Sequence, residues 1–139
     1  MIYILDACSV IAFFNREEGQ EKIWDILQEA ENKRSTVYIN IVNLMEVHYG
    51  FYRDFGKETA LKILNQIYDL PITIIDTINK QVFDETSRLK STYKISLADA
   101  IGLATAITLN GVFVTADGEL AELEKLEHAP VFWFRLPKK

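Results

Sequence analysis

Five short apolar runs recur along the chain, and longer stretches with a helical repeat of apolar residues separate them. The first run, Ile2–Leu5, is continuous, which is typical of a strand that is buried on both faces of a parallel sheet. The other runs lie at 37–40, 72–75, 112–115 and 131–134. Strands that alternate with helices predict an α/β fold in three layers, α/β/α, around a mainly parallel sheet.

The intervening segments have the spacing of amphipathic helices, and several end at helix-breaking residues. The predicted helices are 7–15, 18–33, 43–55, 57–70, 79–93, 97–109 and 119–126. Gly56, Pro71 and the pair Asn110-Gly111 mark three of the helix ends. The segment 97–109 is apolar on all sides, which predicts a buried helix. Only 137–139 read as a tail.

Length and charge restrict the class of protein. With 139 residues, the chain is predicted to form one domain, 1–139, with a substantial core. The net charge is −5, from 20 acidic and 15 basic residues, which argues against a protein that coats nucleic acid electrostatically. A nuclease stays compatible with this charge, because a bound metal ion offsets negative charge locally.

The single cysteine and the apolar segments indicate where the protein is expected to work. Cys8 has no second cysteine to pair with, so a reducing, cytoplasmic setting fits best. The apolar start is interrupted by Asp6 and has no basic residues before it, which does not fit a signal peptide. No apolar run is long enough for a membrane span, so no membrane association is expected.

Four acidic residues occupy positions where the pattern predicts strand ends or first helical turns. Asp6 and Asp117 follow apolar strands, and Glu46 and Asp99 lie early in helices. In parallel α/β sheets the functional site lies beyond the carboxyl ends of the strands. Carboxylates that converge there repel one another unless a cation binds them, and ligation by oxygen alone suits Mg²⁺ or Mn²⁺.

Helix capping offers a structural explanation for each of these acids. The segment 96–99 has the form of a capping box, with Ser96 as N-cap and Asp99 at the third helical position. Asn43 followed by Glu46 has the same form. Asp6 and Asp117 each precede a predicted helix as well. Taken singly, most of these acids fit a cap; taken together at one edge, they favour a metal site.

Other motifs are weaker. His48 and His128 have no metal-ligand spacing, and no Gly-rich phosphate loop is present. Arg88, Lys90 and Lys94 precede Asp99 and are most simply a solvated helix face, with contact to an RNA backbone as the alternative. Large aromatic residues on the early helices exceed what one core needs and predict an exposed interface. They are Phe13, Phe14, Trp24, Phe51, Tyr52 and Phe55.

The ordered set of acidic motifs resembles the PIN-domain ribonucleases of the VapC toxin type. The matching segments are Ile4-Leu5-Asp6-Ala7-Cys8, Asn43-Leu44-Met45-Glu46-Val47, Leu97-Ala98-Asp99-Ala100-Ile101 and Val114-Thr115-Ala116-Asp117. The resemblance covers essentially the whole chain. Two positions depart from the family pattern: Cys8 stands where Ser, Thr or Asn is common, and Glu119 stands where another Asp is frequent. Ser9 follows Cys8 and offers a polar contact in its place.

The resemblance implies a five-stranded sheet of order 3-2-1-4-5 and an endoribonuclease that depends on Mg²⁺ or Mn²⁺. It also implies a homodimer and the toxin role of a type II toxin–antitoxin pair, with a cognate antitoxin protein as partner. Asp6 and Asp99 are then the expected central metal ligands, while Glu46 and Asp117 bind a second ion or orient water. Thr115 is expected to support them by a hydrogen bond.

Three alternatives stay open at this point. A haloacid-type phosphatase needs Asp-x-Asp after the first strand, but Asp6 is followed by Ala7 and Cys8. A receiver domain needs paired acids there and a lone acid after the third strand, where only the lone Asp76 is present. A noncatalytic PIN-like binding protein or an RNA-processing factor is the remaining reading. The retention of all four acids favours the nuclease.

Overall fold

The computed structural model describes residues 1–137, and a five-stranded sheet forms its centre. The strands are β1 (Ile2–Leu5), β2 (Thr36–Asn40), β3 (Thr73–Ile75), β4 (Val112–Thr115) and β5 (Val131–Trp133). All four pairings are parallel, and the strand order is β3-β2-β1-β4-β5. The predicted α/β class and the order 3-2-1-4-5 are therefore confirmed. The last two residues of the predicted tail lie outside the described residues.

Helices cover both faces of the sheet and make the three layers. In the described residues they are α1 (Ala7–Asn15), α2 (Gln20–Glu31), α3 (Ile41–Phe55), α4 (Lys57–Tyr68), α5 (Lys80–Thr92), α6 (Leu97–Leu109) and α7 (Leu120–Glu127). Helices α1 to α4 form one apolar core with the sheet, and α5 to α7 form the other. Within residues 1–137, no helix has the length and apolar character that crossing a bilayer requires.

The start of α3 corrects one sequence prediction. The helix begins at Ile41, and its N-cap is Asn40, whose side chain accepts hydrogen bonds from the backbone N–H groups of Val42 and Asn43. Asn43 is thus fully buried inside the helix and is not a cap. Asn40 takes this role because it ends β2 and its backbone is already extended. Other element ends agree with the predictions to within two residues.

Two features of the fold bring the acidic residues to one edge. In the register of β1 and β4, Leu5 pairs with Val114, so the carboxyl ends of these central strands lie side by side. Helix α6 packs closely against β4. Gly102 permits this approach, since a Cβ atom at this position would overlap the ring of Phe113. This close packing places the first turn of α6, with Asp99, at the edge where β1 and β4 end.

Candidate metal centre

An open cleft of about 320 Å³ lies at the carboxyl ends of the central strands. The four acids singled out in the sequence all line this cleft: Asp6, Glu46, Asp99 and Asp117. They come from four different elements or their flanking loops, so only the folded chain brings them together. The cleft also contains the side chains of Tyr49 and Arg53 from α3. This edge is where parallel α/β sheets bind their ligands.

Three carboxylates form a tighter group within this region. Asp99, Asp117 and Glu119 each offer an oxygen, and these oxygens lie within 4.8 Å of one another. Asp6 and Glu46 line the same cleft outside that tight group. Carboxylate oxygens at such separations match what a hard divalent cation takes as ligands. The donor set is therefore chemically suited to Mg²⁺ or Mn²⁺.

Asp6 is buried at the end of β1, where neighbours hold its carboxylate in place. It is 2% exposed and is the N-cap of α1, with its Oδ1 accepting a hydrogen bond of 2.7 Å from the backbone N–H of Ser9. The Thr115 hydroxyl also hydrogen bonds to this carboxylate. Burial raises the pKa of Asp6 from 3.8 to about 6, because these hydrogen bonds offset only part of the desolvation.

Asp99 does not act as the second half of a capping box. Ser96 is indeed the N-cap of α6, and its hydroxyl accepts from the Asp99 backbone N–H at 3.2 Å. The reciprocal contact comes from another residue: Glu119 Oε1 accepts the Ser96 backbone N–H at 3.0 Å. Asp99 Oδ2 is left buried without a hydrogen-bond partner among the described residues. A buried carboxylate oxygen without a donor is costly, and a cation satisfies it.

The electrostatics of Asp99 and Glu119 are coupled. Burial is the main cause that raises the pKa of Asp99 well above its ordinary value, and the close carboxyl groups of Glu119 and Asp117 raise it further. The proximity of Asp99 lowers the pKa of Glu119. The two carboxyl groups are therefore close enough to shift each other's pKa in opposite directions. A divalent ion bound between them would favour the ionised form of both groups.

Asp117 and Glu46 complete the walls of the cleft. Asp117 follows β4, and its Oδ1 accepts from the Glu119 backbone N–H at 3.0 Å, which fixes the turn before α7. Its own N–H donates to the Thr115 hydroxyl oxygen at 3.0 Å. Glu46 is half-buried in the second turn of α3. Desolvation raises its pKa, while a hydrogen bond from Tyr49 lowers it.

The three bases considered for RNA contact do not line the cleft. Arg88 forms ion pairs with Glu85 and with Glu127, which tie α5 to the end of α7. Lys90 donates to the backbone carbonyl of Ile95 at 2.6 Å. It lies near enough to Glu119 to lower the pKa of that carboxyl. Lys94 is exposed in the loop before α6. Of the three, Lys90 thus lies beside the acidic cluster, whereas Arg88 is occupied elsewhere.

Sequence reasoning missed two cleft residues, Tyr49 and Arg53. Their position relative to Glu46 carried a usable signal, because residues three and seven positions later lie on the same face of a helix. Both side chains are accessible to a ligand, since Tyr49 is 54% exposed and the Arg53 side chain is 69% exposed. The cleft therefore has an aromatic and a basic side chain next to its carboxylates.

Comparison with known protein families shows which family the chain belongs to. The sequence model of the PIN domain matches residues 3–126, which is most of the chain. The chain belongs to the PIN domain family, as its acidic motifs indicated. No curated protein sequence matches it.

Solved structures of VapBC and VapC proteins have the same fold as this chain. A chain of VapBC2 from Rickettsia felis, bound to a DNA fragment from their promoter, is 21% identical; the match covers 96% of this chain and 98% of that one, with a TM-score of 0.74. A chain of DNA-bound VapBC from Salmonella typhimurium is 20% identical; the match covers 97% of this chain and 99% of that one, with a TM-score of 0.68. VapC20 from Mycobacterium tuberculosis, a sarcin-ricin loop cleaving toxin, is 12% identical; the match covers 88% of this chain and 95% of that one, with a TM-score of 0.66. At these identities the likeness establishes the fold.

Proposed function

We propose that the protein is an endoribonuclease that depends on Mg²⁺ or Mn²⁺. The observation that carries this proposal is the buried, unpartnered Oδ2 of Asp99 in a group with Asp117 and Glu119, at the ligand-binding edge of a PIN fold. Capping does not explain that oxygen, because Glu119 makes the contact that a capping box would give to Asp99. Cation binding explains both its burial and its lack of a donor.

Asp99 and Asp117 are the residues that would hold the ion, with Asp6 beside them and Glu119 joining the group. When bound, the ion lowers the pKa of a coordinated water and neutralises charge on the scissile phosphate. Ser9 and Thr115 keep the Asp6 carboxylate in one orientation through their hydrogen bonds. The protein thus contributes chiefly position and electrostatic stabilisation.

Glu46 is proposed to orient water or to hold a second ion. It lies on a different helix from the other acids and lines the cleft together with Tyr49. The hydrogen bond from Tyr49 restricts its side chain. A carboxylate whose pKa is raised by burial is also a better proton acceptor than an exposed one. These properties suit a group that positions the attacking water.

The substrate and partners follow from the family resemblance. We propose single-stranded RNA, because unpaired bases can be splayed into an open cleft. The proposed biological role is the toxin of a type II pair that acts in the cytoplasm as one domain, 1–139. A cognate antitoxin and a second copy of the chain are the proposed partners. The shared fold with chains of VapBC complexes supports this role, as do the exposed aromatic residues on α2 and α3.

A noncatalytic PIN-like protein or an RNA-processing factor is the alternative. Membership of the PIN family removes the phosphatase and receiver readings, since those proteins have other folds and other acidic motifs. The cluster of Asp99, Asp117 and Glu119 favours catalysis over simple binding. A binding protein has no need for a buried acid without a partner, because such a group costs folding free energy.

The decisive experiment compares RNA cleavage by the parent protein and by Asp99→Ala. With Mn²⁺, the parent should cleave single-stranded RNA, and chelation should stop the reaction. Asp99→Ala should remain folded, since its carboxylate caps no helix, but should lose turnover. Asp25→Ala, which removes an exposed acid from α2, is the matched control and should cleave normally. A folded Asp99→Ala protein that cleaves RNA at the parent rate would show that the assignment is wrong.

A further inference from the structure

The acidic cleft contains one cationic side chain. Among residues 1–137, Arg53 is the only basic residue that lines it, alongside the carboxylates described above. Arg53 follows Glu46 by seven positions on α3, which corresponds to two helical turns and about 10 Å along the axis. A polyanion that enters the cleft thus meets this positive group on the cleft wall, two helical turns from Glu46.

Arg53 also lies at the junction of the cleft with a second groove. This groove has a volume of about 180 Å³ and is lined in part by Asn15 and Phe55. The cleft and the groove share Ile11, Gly50 and Arg53, so they form one continuous path along α3. A single strand that leaves the metal centre in this direction passes beside the guanidinium group.

The guanidinium of Arg53 is available for another ligand. Its partner is the neighbouring Asp54, at 2.9 Å from Nε to Oδ1, and both side chains are more than half exposed. Such exposed ion pairs contribute little free energy and are screened by salt. A phosphate can therefore replace Asp54 at small cost, and a guanidinium binds phosphate oxygens through two parallel hydrogen bonds.

We propose that Arg53 binds a backbone phosphate of the RNA strand, next to the scissile phosphate on the side of the second groove. The proposal rests on the proposed function, since it gives the same site its substrate contact. It also resolves an electrostatic difficulty. A cleft lined by four carboxylates repels RNA, and a cation on the cleft wall offsets part of this repulsion and guides the path of the strand.

The test measures how RNA binding depends on salt. All proteins carry Glu46→Gln, which should prevent turnover while Asp6, Asp99 and Asp117 stay in place to hold the ion. The probe is a short fluorescent single-stranded RNA of mixed sequence, with Mn²⁺ present. Arg53→Gln should weaken binding about tenfold. It should also reduce the slope of log K against log salt by about 0.7, the value for one lost phosphate contact on a single strand. Arg53→Lys keeps the charge and should keep most of the slope.

Two further variants make the result specific. Arg34→Gln removes the same charge from the exposed loop before β2, at the opposite edge of the sheet, and should leave both binding and slope unchanged. Asp54→Asn frees the guanidinium and should strengthen binding. Equal binding by the Arg53→Gln and Arg34→Gln proteins overturns the proposal. A loss of binding by Arg53→Gln alone supports it.

Cleavage by proteins without Glu46→Gln separates this proposal from the proposed function. If the parent cleaves RNA and Arg53→Gln has the same KM and kcat, the phosphate contact is wrong and the nuclease stands. If the parent binds RNA through Arg53 but does not cleave it, the contact stands and the nuclease is wrong. Under both proposals, Arg53→Gln raises KM more than it lowers kcat.

Discussion

Asp6 has the clearest consequence at the scale of single residues, because it combines a helix cap with a buried charge. Its pKa is raised from 3.8 to about 6 in the folded protein, mainly by burial. The folded state therefore holds this proton more tightly than the unfolded state. As pH rises from about 4 to about 6, the free energy of unfolding of the metal-free protein should fall, by about 3 kcal/mol in total from this group.

Asp6→Asn should remove this loss. Asparagine is as good an N-cap as aspartate, so α1 keeps its hydrogen bond from Ser9 while the buried charge disappears. In chelator at neutral pH, urea unfolding should show Asp6→Asn to be more stable than the parent. Asp6→Ala serves as the comparison, since it also loses the cap, at a cost of about 0.5–2 kcal/mol. A parent whose stability in chelator rises between pH 4 and pH 6 while Asp6→Asn does not would contradict this.

The sequence indicated which acids converge but not how each one is bonded. Ser96 was recognisable as a cap from its position before an apolar helix, and the structure confirms it. The partner of its N–H is Glu119, which is 23 residues away in the chain. Local pattern assigned that contact to Asp99 instead. A tertiary contact therefore decided which carboxylate is left free, and neighbouring residues alone carry no information about it.

At the scale of elements, the spacing of apolar residues was sufficient to predict where the strands and helices lie. The capping residues were harder to predict. Asn40 and Asn43 both precede apolar helical residues, and only the length of β2 decides that Asn40 is the cap. Arg88 gives a second example. It precedes Asp99 by only 11 positions, yet its side chain does not line the cleft. It forms hydrogen bonds to Glu85 and Glu127 instead.

Several aromatic residues of the early helices are exposed on the surface of the domain. Trp24 on α2 is 54% exposed and stacks on Phe13, and Tyr52 and Phe55 on α3 are 48% and 58% exposed. Phe51, in contrast, is buried in the core. Exposed aromatic groups of this size commonly mark binding surfaces in water-soluble domains.

We expect this surface to mediate assembly with a second copy or with the antitoxin. Light scattering should show a dimer of the parent, or a complex with the product of an adjacent gene. The double variant Tyr52→Ser, Phe55→Ser should lose at least one of these assemblies, because it removes exposed apolar area without changing the core. A strictly monomeric parent that binds no such gene product would contradict the expectation.

At the scale of the whole molecule, the fold gathers negative charge at one edge of a protein that is already acidic. The net charge is −5, and four of the carboxylates that contribute to it lie close together in the cleft. The metal-free protein therefore carries electrostatic repulsion that folding alone does not relieve. A cation that binds only the folded state relieves it and stabilises the protein by mass action.

The most direct test of a metal site in the acidic cleft is a thermal melting scan with and without Mn²⁺. Free ion at about a hundred times its dissociation constant should add about 3 kcal/mol to the free energy of unfolding, which raises the melting midpoint by several degrees. Asp99→Asn should lose most of this increase, whereas Asp25→Asn on α2 should keep it. An unchanged midpoint for the parent at millimolar Mn²⁺ would contradict the metal centre at this edge of the sheet.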